Sequence, residues 1–502
     1  MEAIRYQNYR CIEDSGFISI KPITFLLGAN STGKSSFLKF FPLLKQSLQT
    51  NTSGQFLWYG DDVDFGDFRN TLMDGKRSMT ISFKINEIQT IRPYFTINTI
   101  YSLPQLKNLI VNVTLSLDET KNTDYLSQLQ ISYSGFEIII KYNNRAKVET
   151  IGVNAVFAPK ELVDNFKLVY RKQEFLPNII YSKGEQTLFD SFENTISNWH
   201  TLKSTVLSNQ EKEEIQKIEN KLIQRINNRE NLKRSIRSFA SDADKQYVDE
   251  ICDTFLLGHI NLIIEAINYH ISDFSQNIQY IQPLRAMSQR YYRYSNVDIN
   301  ELDSDGKNLP MFFNSLNDKQ KGAFNTWLST NWGITLEPKN IAGFIELYVK
   351  EGNKKERNLI DLGFGYTQCL PIISMIWKTL HFRRMNPFWG HGSVETLIAI
   401  EQPELHLHPR FQGMFAEMLV STISDCKENN KNVRFLIETH SETIITRIGE
   451  LIGEKRLASD EVNVVIFNDN NYSEKKQIYS TQFDDNGMIK DWPYDFFTHY
   501  VN

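Results

Sequence analysis

Cysteine is scarce in this 502-residue chain: Cys11, Cys252, Cys369 and Cys426 lie far apart, with no C-x-x-C pair among them. That spacing argues against a structural zinc and against a disulfide framework, and predicts reduced thiols. Positive charge is not in excess either. Lys plus Arg is 55 against 60 for Asp plus Glu, a net charge of −5, so any nucleic-acid contact must come from a local patch. No apolar run approaches the roughly 18 residues of a membrane span, and Met1 to Tyr6 alternates like a strand rather than a signal peptide. The expected location is the cytoplasm, without membrane contact. Internal repeats and low-complexity linkers are also missing. What is present is an ordinary folding composition, 41% hydrophobic, 12% aromatic and 23% charged, which excludes wholesale disorder, collagen and coiled-coil rods. At roughly 100 to 200 residues per domain, the length predicts two to four structural units, or one large domain with an insertion.

Short apolar runs at 3–9, 16–20 and 22–27 predict strands, the last entering a glycine-rich turn. From Lys34 to Leu48, Phe37, Leu38, Phe40, Phe41, Leu43, Leu44 and Leu48 recur at helical spacing, with Pro42 predicting a kink or break. Residues 78–190 carry β-branched and aromatic stretches such as Leu109 to Val113 and Phe136 to Ile140, the pattern of antiparallel strands. Between Gln210 and Ser238 the chain turns charge-rich and glycine-free, with Ile215, Ile218, Leu222, Ile226, Leu232 and Ile236 near helical spacing. Fewer than four clean heptads are present, so this reads as a solvated amphipathic helix rather than a long coiled coil. The expected division is an N-terminal lobe at 1–195, a helical insertion at 196–275 and a C-terminal lobe at 276–502.

Gly28-Ala29-Asn30-Ser31-Thr32-Gly33-Lys34-Ser35 fits G-x-x-x-x-G-K-[ST] between an apolar strand and a helix, the context this phosphate loop requires. Gly28 and Gly33 permit the turn, and backbone N–H groups at the helix start wrap phosphate. Lys34 reaches the outer phosphates, and the Ser35 hydroxyl ligates Mg²⁺, with Ser36 next along the helix.

Far downstream, the apolar run Leu397 to Ile400 ends in Glu401-Gln402-Pro403-Glu404, followed by Leu405-His406-Leu407-His408-Pro409. An acid closing a buried strand is where a P-loop NTPase keeps the carboxylate that helps hold the metal, so Glu401 is the candidate. A second run, Val433 to Ile437, leads to Glu438-Thr439-His440-Ser441 and delivers His440 to a strand tip, where it serves either as a γ-phosphate sensor or as a structural histidine. His406 and His408 with Glu401 or Glu404 lack H-E-x-x-H spacing, and a turn after a strand accounts for them.

With these residues in view, the chain resembles the ABC-type ATPases of the RecF, SMC and OLD group nearly end to end. Asn8-Tyr9-Arg10 is similar to the N-terminal strand motif of that group, Gly28 to Ser35 to its Walker A loop, Glu401 to Pro409 to its Walker B region, and Glu438 to Ser441 to its switch histidine. Asp361 to Gln368, before Cys369-Leu370-Pro371, resembles a divergent signature motif with Thr367 in the usual place of serine. The resemblance implies an α/β, ABC-type P-loop ATPase with mixed sheets and a helical insertion, using ATP and Mg²⁺. It implies nucleotide contacts from Arg10, Gly28, Asn30, Ser31, Thr32, Gly33, Lys34, Ser35 and Ser36, and from Gly365, Thr367 and Gln368. The metal would be held by Ser35 and Glu401, and catalysis would fall to Glu401, Gln402, Glu404 and His440. A helix N-terminus and hydroxyl from one copy capping the γ-phosphate held by another would make ATP the glue of a homodimer or larger homo-oligomer.

Within the group, Gln282-Pro283-Leu284-Arg285 and the end, from Asp485-Asn486-Gly487 through Asp491-Trp492-Pro493 to Phe496-Phe497, resemble the branch of bacterial anti-phage operons that includes the PtuA ATPases of Septu and the AriA ATPases of PARIS. That resemblance implies a sensor or scaffold ATPase beside a separate effector, usually a nuclease. Two departures matter. About 60 residues follow His440, fewer than the Toprim nuclease domain of OLD proteins needs, so nuclease activity is not expected here. Gln402 stands where ABC ATPases keep a general-base glutamate, and an amide takes no proton, so slow hydrolysis is expected, with Gln402 orienting water or Glu404 supplying the carboxylate. The alternative is a RecF-like or SMC-like DNA clamp, supported locally only by Arg285 with Arg290-Tyr291-Tyr292-Arg293-Tyr294, a stretch that better suits structural packing.

Overall fold

The structure, a computed structural model, describes residues 1–50, 54–88, 104–181, 220–239, 247–293, 301–382, 395–468 and 477–490. Contacts divide the chain into two compact units, Met1–Ser19 with Leu43–Gln276, and Ile20–Pro42 with Asn277–Asn502. The sequence placed the phosphate loop in one lobe with the antiparallel strands; by contacts it belongs with the C-terminal half. Helix α1, Lys34–Gln49, runs on through Pro42, the residue at which the division falls.

The first unit holds a nine-stranded antiparallel sheet. Its strands are β1 (Ala3–Tyr9), β2 (Ile12–Asp14), β3 (Ile18–Ser19), then, with β4 (Ile23–Gly28) in the other unit, β5 (Ser78–Ile88), β6 (Leu106–Asp118), β7 (Thr123–Tyr133), β8 (Phe136–Tyr142), β9 (Val148–Val153) and β10 (Val156–Phe157). They lie in the order β10-β9-β8-β7-β6-β5-β1-β2, with β3 paired to β1. Alternation makes the sheet: Leu126, Leu129, Ile131 and Tyr133 of β7 are buried between half-buried polar neighbours. The β7–β8 turn, Ser134-Gly135, has positive φ at both residues, 42° and 87°, the two-residue hairpin geometry that matches strand twist. A separate hairpin, β11 (Phe166–Val169) with β12 (Asn178–Tyr181), precedes the helical segment.

Of the expected insertion at 196–275, residues 196–219 and 240–246 lie outside the described residues. The rest forms helices α2 (Arg229–Phe239), α3 (Val248–Gly258) and α4 (Ile260–Gln276). Arg229 donates through Nε and Nη2 to both oxygens of Asp253 at 2.8 Å each, and Asn154 after β9 donates to the same carboxylate at 2.8 Å. The Asn268 amide bonds both N and O of Leu176 at 2.7 Å. These helices are therefore anchored to the antiparallel unit by buried polar groups with matched partners.

The second unit is built on a six-stranded sheet in the order β13-β18-β19-β4-β20-β21, parallel except for its last pair. These are β13 (Ile278–Ile281), β18 (Glu395–Glu401), β19 (Asn432–Glu438), β20 (Val462–Phe467) and β21 (Ile478–Thr481), numbered past a four-stranded antiparallel sheet of β14 (Tyr292–Arg293), β15 (Ile334–Ile341), β16 (Phe344–Glu351) and β17 (Arg357–Asn358). All six residues of β4 and of β20 are buried, as a parallel sheet covered on both faces requires. Helices α5 (Leu309–Ser315), α6 (Asp318–Trp332), α7 (Phe364–His381), α8 (Pro409–Glu428) and α9 (Glu442–Gly453) contribute to its core, where Phe324 meets Phe313 and Trp377 edge to face. Helix α6 opens on an Asn317–Gln320 capping box and stops at left-handed Gly333, φ 67°.

Candidate nucleotide and metal site

β4 delivers the chain to Gly28, whose φ of 148° and proximity to β20 leave no room for a side chain: a Cβ there would stand 2.2 Å from the Phe467 carbonyl oxygen. The loop then turns through Ser31 at φ 65° and Gly33 at φ 105°. Thr32 is buried and donates to the Ala29 carbonyl at 2.9 Å, while Ala29, Asn30 and Ser31 are exposed. Helix α1 begins at Lys34, with Phe37 N–H closing on Gly33 O at 2.8 Å, so the first-turn N–H groups of Lys34, Ser35 and Ser36 are the unsatisfied donors of a helix N-terminus, suited to an anion. The Lys34 ammonium donates to the Gly28 and Ala29 carbonyls at 2.8 and 2.6 Å. Burial lowers its pKa, against the pull of Glu438.

One strand, β19, separates β4 from β18, and the two strand-end acids are direct register partners, Glu401 beside Glu438, with Glu438 beside Leu26. The Ser35 hydroxyl donates to Glu438 Oε1 at 2.9 Å. The Glu401 carboxylate is engaged elsewhere: Tyr280 Oη donates to Oε1 at 2.5 Å and Lys39 Nζ stands 3.7 Å from Oε2. Arg285 Nη2 donates to the Glu401 backbone carbonyl at 2.9 Å. Burial pushes the Glu401 carboxyl up to about 7, against Lys39 and Tyr280. Burial also raises Glu438, opposed by Ser35, Lys34 and Lys39.

Four residues here escaped sequence reading as site residues. Glu438 carried the same signal as Glu401, an acid closing a buried apolar strand; Arg285 was read within Gln282-Pro283-Leu284-Arg285 and the basic stretch, not at this site, and Lys39 and Tyr280 carried no signal.

Beyond β18, Gln402 takes a left-handed backbone, φ 44°, and its N–H donates to Glu438 O at 2.8 Å. Glu404 has both oxygens occupied: Oε1 accepts from His440 N–H at 2.6 Å and Oε2 from the Thr439 hydroxyl at 2.8 Å. It therefore holds the turn that presents His440. Burial, then nearby Lys34, lowers the His440 pKa, which favours the neutral imidazole at physiological pH. Ser441 caps α9 through Ile444 N–H at 3.0 Å.

The remaining expected residues make other contacts. Gly363, at φ 83°, caps α7, and the end presented to solvent is Gly363-Phe364. Thr367 and Gln368 are buried, and the Thr367 hydroxyl donates to Phe364 O at 2.8 Å, so the group expected to cap phosphate is turned inward. Gly365 sits over the loop after β18, its Cβ position 3.7 Å from His406 O. Arg10 lies in the first unit, its guanidinium 5.1 Å from the Phe65 ring centroid. The His408 ring accepts from Arg410 N–H at 3.2 Å and caps α8, while His406 meets Phe364. Of the basic stretch, Arg285 is buried and Arg290 pairs with Asp361 at 2.6 Å; Tyr294 lies outside the described residues.

Among the described residues, no three His, Cys, Asp or Glu side chains gather as a protein-only metal cage. Mg²⁺ needs no such cage: it takes hard oxygen donors and shares them with phosphate and water. The donor set of Ser35, Glu401 and Glu438 fits, and Glu438 Oε2 is buried without a hydrogen-bond partner.

The model of the AAA ATPase domain family matches residues 1–445. The chain belongs to that family. An α/β P-loop ATPase fold with mixed sheets and a helical segment is thus established, and the family implies nucleotide binding. Over 86 residues the chain is 34% identical to endonuclease GajA of Bacillus cereus (strain HuB5-5), a match covering 16% of this chain and only 12% of that protein. Among solved structures it is similar to the Smc head domain from Pyrococcus furiosus, determined with the C-terminal domain of ScpA, at 10% identity and TM-score 0.32 over 95% of each chain. It is likewise similar to the SMC head domain of Thermotoga maritima, at 8% identity and TM-score 0.32 over 92% of this chain and 94% of that one. Among the described residues, no helix is long and apolar enough to cross a membrane.

Proposed function

We propose that this protein is an ATP-binding, slowly hydrolysing ATPase that acts as the sensor or scaffold of a bacterial anti-phage defence complex and controls a separate effector, a nuclease by class. The observation that carries the ATPase part is the convergence of the phosphate loop after β4 with the acids ending β18 and β19 and the His440 turn. Lys34 and the α1 N-terminus bind the phosphates, and His440 reads the outer one as a neutral donor or acceptor. Mg²⁺, when bound, neutralises phosphate charge, and Ser35 with the strand-end acids would hold it. Gln402 orients the attacking water without removing its proton, which keeps turnover low and the nucleotide-bound state long-lived. ATP joins copies of the chain through the exposed start of α7. The defence role and the nuclease as partner rest on the sequence resemblance to the Septu and PARIS ATPases.

The test is particle mass by light scattering, with and without ATP and Mg²⁺, for the protein alone and co-expressed with the product of the adjacent open reading frame. A nucleotide-dependent dimer or larger assembly that retains the neighbour is the expected result. A lone particle indifferent to both, with salt-dependent DNA binding, would replace this reading with the DNA clamp. Gln402→Glu is expected to raise ATP turnover by about 100-fold or more, since a positioned general base contributes about 10²- to 10⁴-fold; a variant no faster than the parent refutes the role given to Gln402.

A further inference from the structure

We propose that Glu438 is the carboxylate that completes the Mg²⁺ site with Ser35, leaving Glu401 to orient it from the neighbouring strand. The inference deepens the nucleotide reading above and rests on it. The Ser35 hydroxyl, the side chain that begins the metal site, donates to Glu438 at 2.9 Å, across 403 residues of sequence. The second oxygen of Glu438 is buried and unpartnered, on a residue only 2% exposed. An orphaned, buried carboxylate oxygen is costly, and a hard cation is the ligand that satisfies it. Glu401 is less free to serve: Tyr280 holds one of its oxygens and Lys39 faces the other. The strand-end acids are register partners, so Glu401, held by Tyr280 and Lys39, stands beside Glu438 and would steady it on a bound metal.

A merely structural Glu438, bracing the loop through Ser35, makes a different prediction from a metal ligand. Removing the brace weakens nucleotide binding with and without metal. Removing a ligand abolishes only the gain that Mg²⁺ brings, and metal-free binding holds or tightens because a negative charge has left the phosphate site. The experiment titrates a fluorescent ATP analogue into the full chain, in Mg²⁺ and in EDTA, for the parent, Glu438→Gln, Glu438→Asp and Lys34→Ala, with thermal melts to confirm folding. The expected result is a Mg²⁺ enhancement in the parent that falls in Glu438→Gln by at least about 10- to 100-fold, the cost of losing even a residue that only orients a metal ligand, with unchanged or tighter binding in EDTA and partial recovery in Glu438→Asp. Equal weakening in both buffers, or an enhancement retained by Glu438→Gln, overturns the assignment. Should Glu438→Gln fail to fold, Glu438→Asp decides: its charge keeps a metal-dependent gain if Glu438 is a ligand, and equal losses in both buffers overturn it. A parent that binds no more tightly than Lys34→Ala in either buffer would instead bring down the nucleotide reading itself.

Discussion

Gly28→Ala tests whether the phosphate loop is built on the close approach of β4 to β20. Gly28 is the register partner of Phe467, and an added Cβ would stand 2.2 Å from the Phe467 carbonyl oxygen and 2.9 Å from its Cβ. The first of these contacts is with backbone, so no rotamer change relieves it; β4 must part from β20. The φ of 148° adds strain that any L-residue feels. Overpacking costs about 1 to 3 kcal/mol and strained backbone about 1 to 3 more, so the total is about 2 to 6 kcal/mol, a large share of a typical stability of about 5 to 15 kcal/mol. Gly365→Ala supplies the contrast. Its Cβ would meet only His406 O at 3.7 Å and Leu407 Cδ2 at 3.9 Å, both ordinary contacts, inside helix α7. Its stability should stay within about 1 kcal/mol of the parent, on the stabilising side. Urea unfolding followed by tryptophan fluorescence reads both, since Trp332 and Trp377 lie in the core of the same unit. A Gly28→Ala midpoint equal to that of the parent, or an equal loss in Gly365→Ala, refutes the argument.

Asp253→Asn should destabilise the first unit by about 3 kcal/mol, the low end for a broken buried ion pair because Asp249 stays 3.0 Å from Arg229; a loss below about 1 kcal/mol by thermal melting contradicts the anchoring role given to that pair. The thiols give a count rather than an energy. Cys11 is exposed, although partial burial raises its thiol too, whereas fuller burial pushes Cys252 and Cys369 up to about 12 and Cys426 up to about 11. The thiolate is the reactive form, so at pH 8 each buried thiol is ionised to about one part in a thousand or less. One thiol should react with a chromogenic disulfide reagent in the native protein and four after denaturation; more than one fast-reacting native thiol would be inconsistent with this packing.

Several features were legible because they depend on neighbours in sequence. The Gly28 to Ser35 loop needs two permissive glycines, an apolar strand before and a helix after, all within some twenty residues, and the structure has them in place. The antiparallel meander from β5 to β9 pairs each strand with the next, so alternation along the chain predicted it. At Pro42, where a kink or a break was expected, the break does not occur and the helix runs on to Gln49. At Thr367 the motif was visible, but whether the hydroxyl faces solvent or Phe364 O depends on how α7 packs.

By itself the sequence determined a P-loop ATPase: the loop, the acid after an apolar strand and the histidine after another are short-range patterns set by backbone geometry and burial. Tertiary structure alone decided how those strands lie together. A parallel sheet orders its strands by crossover connections, so β19 falls between β4 and β18 and brings Glu438, rather than Glu401, onto the Ser35 hydroxyl. The same ordering sets Tyr280 and Lys39 on Glu401 and lets Ile20–Pro42 join a unit whose other residues begin at Asn277. Periodicity reports which face of a strand is buried; only the sheet order says which acid meets Ser35.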